Sequence, residues 1–111
     1  MVTALQEIMH YVTANGKVPY QEWVLQLADS RMDEIVHARI NRLRLGDFGD
    51  CKALGGGVYE LRIHYGSGYR IYFGRYGQSI ILLLCGGDKR KQSWDIMSAR
   101  HYWKDFQERM K

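Results

Sequence analysis

The chain has 111 residues, 46% hydrophobic and 25% charged, and a formal net charge of +4. That is enough for one domain with one core and too little for a second. The longest strictly apolar run, Ile80 to Cys85, is far short of the roughly 20 residues that cross a bilayer as a helix.

Met1 to Glu7 has neither a basic region nor an apolar run, so no secretory leader is expected there. Leu5 to Val12 reads as a short first strand, closed by the turn residues Asn15-Gly16. Pro19 suits the first turn of a helix, where its missing N–H costs nothing. Tyr20, Trp23, Val24 and Leu27 continue that helix at helical spacing. Asp29-Ser30 is a second helix start, with Asp33 and Glu34 in its first turn. Met32, Ile35, Val36, Ile40 and Leu43 form its apolar stripe, and Gly46 stops it. Gly46, Gly49 and Gly55 to Gly57 then mark a loop.

From Val58 the period changes from 3.6 to 2. Tyr59, Leu61, Ile63 and Tyr65 alternate with Glu60, Arg62 and His64. After Gly66-Ser67-Gly68, Tyr69, Ile71 and Phe73 alternate with Arg70 and Tyr72. This predicts a β-hairpin. Ser79 to Cys85 is apolar on both faces and predicts an interior strand, ended by Gly86-Gly87. A last helix begins near Asp95, with Ile96, Ala99, Trp103, Phe106 and Met110 on one face. The order β-α-α-β-β-β-α predicts an α+β domain spanning residues 1–111. A helical pair covers one face of a small, largely antiparallel sheet, and a helix closes the chain.

Charge is unevenly distributed. From Arg39 to Lys91 there are ten Lys/Arg and four Asp/Glu, and the remainder holds six and eight. A basic middle suggests a polyanionic partner. Period 2 puts Glu60, Arg62 and His64 on one sheet face. If Tyr65 pairs with Tyr69 across a three-residue turn, His64 lies opposite Arg70 and Arg62 opposite Tyr72, all facing away from the core. Guanidinium groups bind phosphate bidentately, and aromatic rings stack on unpaired bases. Attack of a ribose 2′-OH on the adjacent phosphate needs a base, a charge stabiliser and an acid. Arg62 and Arg70 are candidates for the charge, Glu60 or His64 for the protons. Lys89, Arg90 and Lys91 follow the glycine pair as a second basic cluster. Cross-strand pairing of solvated residues accounts equally well for the polar face. Cys51 and Cys85 read as reduced thiols. The four histidines lack metal-ligand spacing, and no cofactor motif occurs, so neither metal nor cofactor is expected.

The stretch from Gly57 through Tyr-Glu-Leu-Arg and Gly-Tyr-Arg to Phe73 carries a resemblance, with Cys85-Gly-Gly-Asp-Lys89, Asp95-Ile96 and the segment Arg39 to Lys52. It resembles the addiction module killer protein branch of the RelE/ParE toxin superfamily, close to HigB-type toxins. The resemblance implies a cytoplasmic type II toxin, a ribosome-dependent endoribonuclease that cleaves messenger RNA and stops translation. It also implies a helix-turn-helix, HigA-like antitoxin as partner, with ribosome and message as targets and no membrane. Arg62, Arg70 and Lys89 match the family's basic positions, and Lys52, Tyr72, Arg90 and Lys91 are assigned to RNA binding. RelE-type nucleases place a lysine where this chain has Glu60 and a tyrosine where it has Asp95. The acid and base are therefore sought among Glu60, His64 and Asp95. Two rival readings are a ParE-like, non-enzymatic inhibitor of DNA gyrase and an inactive RNA- or protein-binding relic.

Overall fold

A computed structural model describes residues 5–27 and 29–111. The leader reading at Met1 to Glu7 falls mostly on residues 1–4, outside the described residues. The elements are β1 (Glu7–His10), α1 (Pro19–Leu25), α2 (Ser30–Arg44), β2 (Cys51–Gly55), β3 (Val58–Ile63), β4 (Tyr69–Tyr76) and β5 (Ile80–Asp88). A 3₁₀ turn (Lys89–Lys91) then leads into α3 (Gln92–Arg109). The fold is α+β. Its five-stranded mixed sheet has the order β1-β5-β4-β3-β2, with β1 parallel to β5 and the other pairs antiparallel.

The helix signals hold. Pro19 opens α1, and the Asp29 carboxylate caps α2 by accepting from the Arg31 N–H, satisfying one of the free donors of the first turn. The α2 stripe Met32, Val36, Ile40 and Leu43 is buried against Leu61, Ile63, Ile71, Phe73, Ile81 and Leu83, with Tyr20 and Trp23 of α1 beside it. The opposite sheet face carries Val58, Tyr72, Leu82, Leu84 and Cys85, covered by Ala99 and Trp103 of α3. Met110, expected on the apolar face of α3, is 52% exposed past the helix end.

Four expectations are corrected. Residues 51–55 form an edge strand rather than a loop. Gly86 and Gly87 do not end β5. They lie inside it, because a Cβ on Gly86 would collide with the Trp23 ring and one on Gly87 with the Asp95 carboxylate. Glycine here permits close packing from both sides of the sheet. The hairpin register differs by two residues: Arg62 pairs with Arg70 and Glu60 with Tyr72. A shift of two preserves the face of every side chain, but it leaves His64 in a five-residue connection instead of a strand. Lastly, the face holding Arg62, Arg70 and Tyr72 is not open to solvent along its length, because α3 packs over its middle.

Candidate anion-binding site

The site lies where the α3-facing side of the sheet runs out from under α3. Arg62 and Arg70 stand directly opposite each other on β3 and β4. Like charges in that position repel. The sequence answers with Glu60, two residues before Arg62 and on the same face. The Glu60 side chain is fully buried. Its Oε1 accepts from Arg62 Nε at 3.1 Å, and its Oε2 accepts from Tyr72 Oη at 3.2 Å and from Gln92 Nε2 at 2.9 Å. Arg70 Nε lies 3.6 Å from the same Oε2, an ion-pair distance that leaves this buried nitrogen without a hydrogen-bond partner. Burial alone would raise the Glu60 pKa, but the hydrogen bonds from Gln92, Arg62 and Tyr72 outweigh it and hold the carboxyl below its ordinary range. It is therefore an anion at neutral pH.

Beside this cluster is an open cleft of about 330 Å³, lined by Arg62, His64, Tyr69, Arg70, Lys89 and the turn Gly66-Ser67-Gly68. The Lys89 N–H donates to the Gly68 carbonyl, which ties the 3₁₀ turn to the hairpin and brings a third cation to the cleft. His64 is largely exposed and pairs through Nε2 with Asp50 Oδ2 at 2.5 Å. That bond lowers the Asp50 pKa. The Asp50 carbonyl accepts from the Arg62 N–H, so Asp50 continues the β2–β3 pairing and is held beside the same strand. Among the described residues, no His/Cys/Asp/Glu group could hold a metal ion.

A sequence profile of the family described as "Phage derived protein Gp49-like (DUF891)" matches residues 22–101. An uncharacterized protein of Haemophilus influenzae is 42% identical over 81 residues, covering 73% of this chain and 82% of that protein. The chain belongs to the Gp49-like family. All the basic positions singled out from sequence, from Lys52 to Lys91, lie within the matched part of this Gp49-like chain, as does Asp95.

The Gp49-like fold gathers some of the expected residues and separates others. Arg62, Arg70, Lys89, Glu60 and His64 come together. Lys52 stands opposite Glu60 on the edge strand, exposed, and extends the basic face outward. Tyr72 is on the expected face but fully buried beneath α3, so its ring is not available to stack on a base. Arg90 turns back onto Asp88, Nη2 to Oδ2 at 2.9 Å, and Lys91 borders a second cleft with Trp23 and Gly87. Asp95 is buried over Gly87, its Oδ2 without a hydrogen-bond partner, and burial raises its pKa. Sequence reasoning missed Gln92 and Asp50. Each acts through a partner distant in sequence, and no local pattern marks it.

Proposed function

We propose that this Gp49-like protein is the toxin of a type II toxin–antitoxin module and acts as a ribosome-dependent endoribonuclease on messenger RNA. The observation that carries the reading is the pair Arg62 and Arg70, directly opposed and both drawn to one buried carboxylate at the wall of an open cleft. Two guanidinium groups kept side by side at an accessible edge, against their mutual repulsion, suit a phosphate of a nucleic-acid backbone. We read the element order and the helix-covered sheet as RelE/ParE-like. The family membership and the basic middle of the chain support the same reading.

In the reaction, the ribose 2′ oxygen bonds to phosphorus and gives up its proton, while the bond from phosphorus to the 5′ oxygen breaks and that oxygen takes a proton. The products are a 2′,3′-cyclic phosphate and a 5′-hydroxyl, with no change of oxidation state. Arg62, Arg70 and Lys89 face the charge that develops on phosphorus. His64, exposed at the cleft and oriented by Asp50, is the proton carrier in this scheme. The partner is a helix-turn-helix antitoxin whose acidic surface matches the basic middle of the chain.

Induced expression should arrest growth, with new message ends mapping inside translated codons. The folded Arg70→Ala variant should lose both effects. Growth arrest without message cleavage, accompanied by inhibition of gyrase supercoiling by the purified chain, would replace this reading with the ParE-like one.

A further inference from the structure

We propose that Glu60 is the positioning residue of the phosphate site: it holds Arg62 and Arg70 by their Nε edges, so that both terminal guanidinium forks face the cleft, preset for a phosphodiester. This rests on the RNA-cleaving reading above and removes Glu60 from the acid and base candidates that the sequence left open.

The first argument is capacity. An ionised carboxylate has about four lone-pair positions. Three of those on Glu60 are taken by Arg62 Nε, Tyr72 Oη and Gln92 Nε2, and Arg70 Nε stands at ion-pair distance from Oε2. The fully buried side chain meets no solvent, so no substrate proton reaches the position that remains on Oε1.

The second argument is direction. Glu60 contacts each arginine through Nε. The Nη atoms of Arg62 and Arg70 bond to no other described residue, while both side chains line the cleft. An arginine fixed by Nε keeps its two terminal nitrogens for a ligand, and planar guanidinium loses less freedom per bond once so fixed.

The third argument is charge. Two arginines and one carboxylate leave a single positive charge, which matches the monoanionic phosphodiester of a chain interior. Lys89, exposed and on a flexible stem, adds its charge at the rim of the cleft it lines.

The test compares wild type with Glu60→Gln in single-turnover cleavage of a message in programmed ribosomes. The expected result is a split. The variant binds RNA at least as tightly, having lost a negative charge, while the cleavage rate falls about 100-fold from misplaced guanidiniums. The acidic limb of the pH–rate profile stays where it was. Loss of that limb would make Glu60 the general base, and equal losses in binding and rate, or an unchanged rate, would also overturn the proposal.

A second measurement needs no cleavage and no variant. In ¹⁵N spectra of the wild-type chain, dimethyl phosphate should move the Arg62 and Arg70 Nη signals and leave their Nε–H signals in place. Displacement of both Nε–H signals would show the ligand replacing Glu60, and the positioning role would fall. A wild-type chain that cleaves no ribosome-bound message defeats the nuclease reading alone, because the dimethyl phosphate titration still decides the role of Glu60.

Discussion

Asp95 places its carboxylate in the space where any other residue at position 87 would carry a Cβ. The contact joins the first turn of α3 to β5 directly across from Arg70, whose strand partner is Gly87. Gly87→Ala should therefore displace the start of α3. Overpacking of this kind costs about 1–3 kcal/mol, and chemical denaturation should register a loss in that range.

Asp95 itself is a liability at neutral pH. Burial raises its pKa in the folded chain, so the folded state binds the proton more tightly than the unfolded state does. Its contribution is complete below the ordinary aspartate value and is lost as pH rises through the raised one. Asp95→Asn should stabilise the protein at pH 7 by ~1 kcal/mol, with the difference shrinking to nothing in acid. Denaturation midpoints at pH 3 and pH 7 check both the sign and the pH dependence.

Glu60 behaves in the opposite sense. Burial pushes its carboxyl up, but the hydrogen bonds from Gln92, Arg62 and Tyr72 leave it below the ordinary value. Stability from this group is complete above the ordinary glutamate value and is lost as pH falls through the folded one. Glu60→Gln should cost about 2 kcal/mol at pH 7, and the gap to wild type should narrow in acid. Parallel stability curves from pH 7 down to pH 3 would contradict the ionised assignment.

Tyr72→Phe separates a buried support from an RNA contact. The hydroxyl donates to Glu60 inside the domain, so its removal should cost ~1 kcal/mol of stability. RNA affinity should be unchanged, because the ring has no exposed surface. A filter-binding measurement showing weakened RNA affinity, with the stability loss already known, would restore Tyr72 to the interface.

Both thiols should resist thiol–disulfide exchange in the native chain. Burial pushes the Cys85 pKa up to about 12, and burial likewise takes Cys51 to about 11. The thiolate is the reactive form. Reaction with a disulfide reagent at pH 8 should be slow until the protein is unfolded, and rapid modification of either cysteine would be the contrary result.

The sequence carried the parts of this fold that repeat at a fixed period. The α2 stripe and the alternation from Val58 to Phe73 put every large apolar side chain on its correct side. What escaped was set by partners far along the chain. Cys51–Gly55 reads as loop because five residues ringed by glycine give no alternation worth counting, yet β3 supplies its hydrogen bonds. Gly86-Gly87 reads as a strand end because glycine is usually poor in strands, whereas here Trp23 and Asp95 require it. Period 2 assigned Tyr72 to the face of the arginines but could not reveal that α3 would cover it. The arginines of the candidate site were legible from that same pattern. Their shared counter-ion, Glu60, was placed on the same face by that pattern but read as a proton carrier, and its partner Gln92 left no signal.

The parallel pairing of β1 with β5 joins Glu7 to Ile80, which has a consequence for synthesis. Strand β1 emerges from the ribosome well before β5 and waits for that partner. Contacts this distant in sequence slow folding, because a large loop must close first. The cation cluster is also late: Lys89 and Gln92 follow β5, so Glu60 does not have all its partners until α3 begins to form. Translation thus completes the basic cleft only after β5, and a nascent chain interrupted before residue 89 holds the opposed arginines and Glu60 but lacks Lys89 and Gln92.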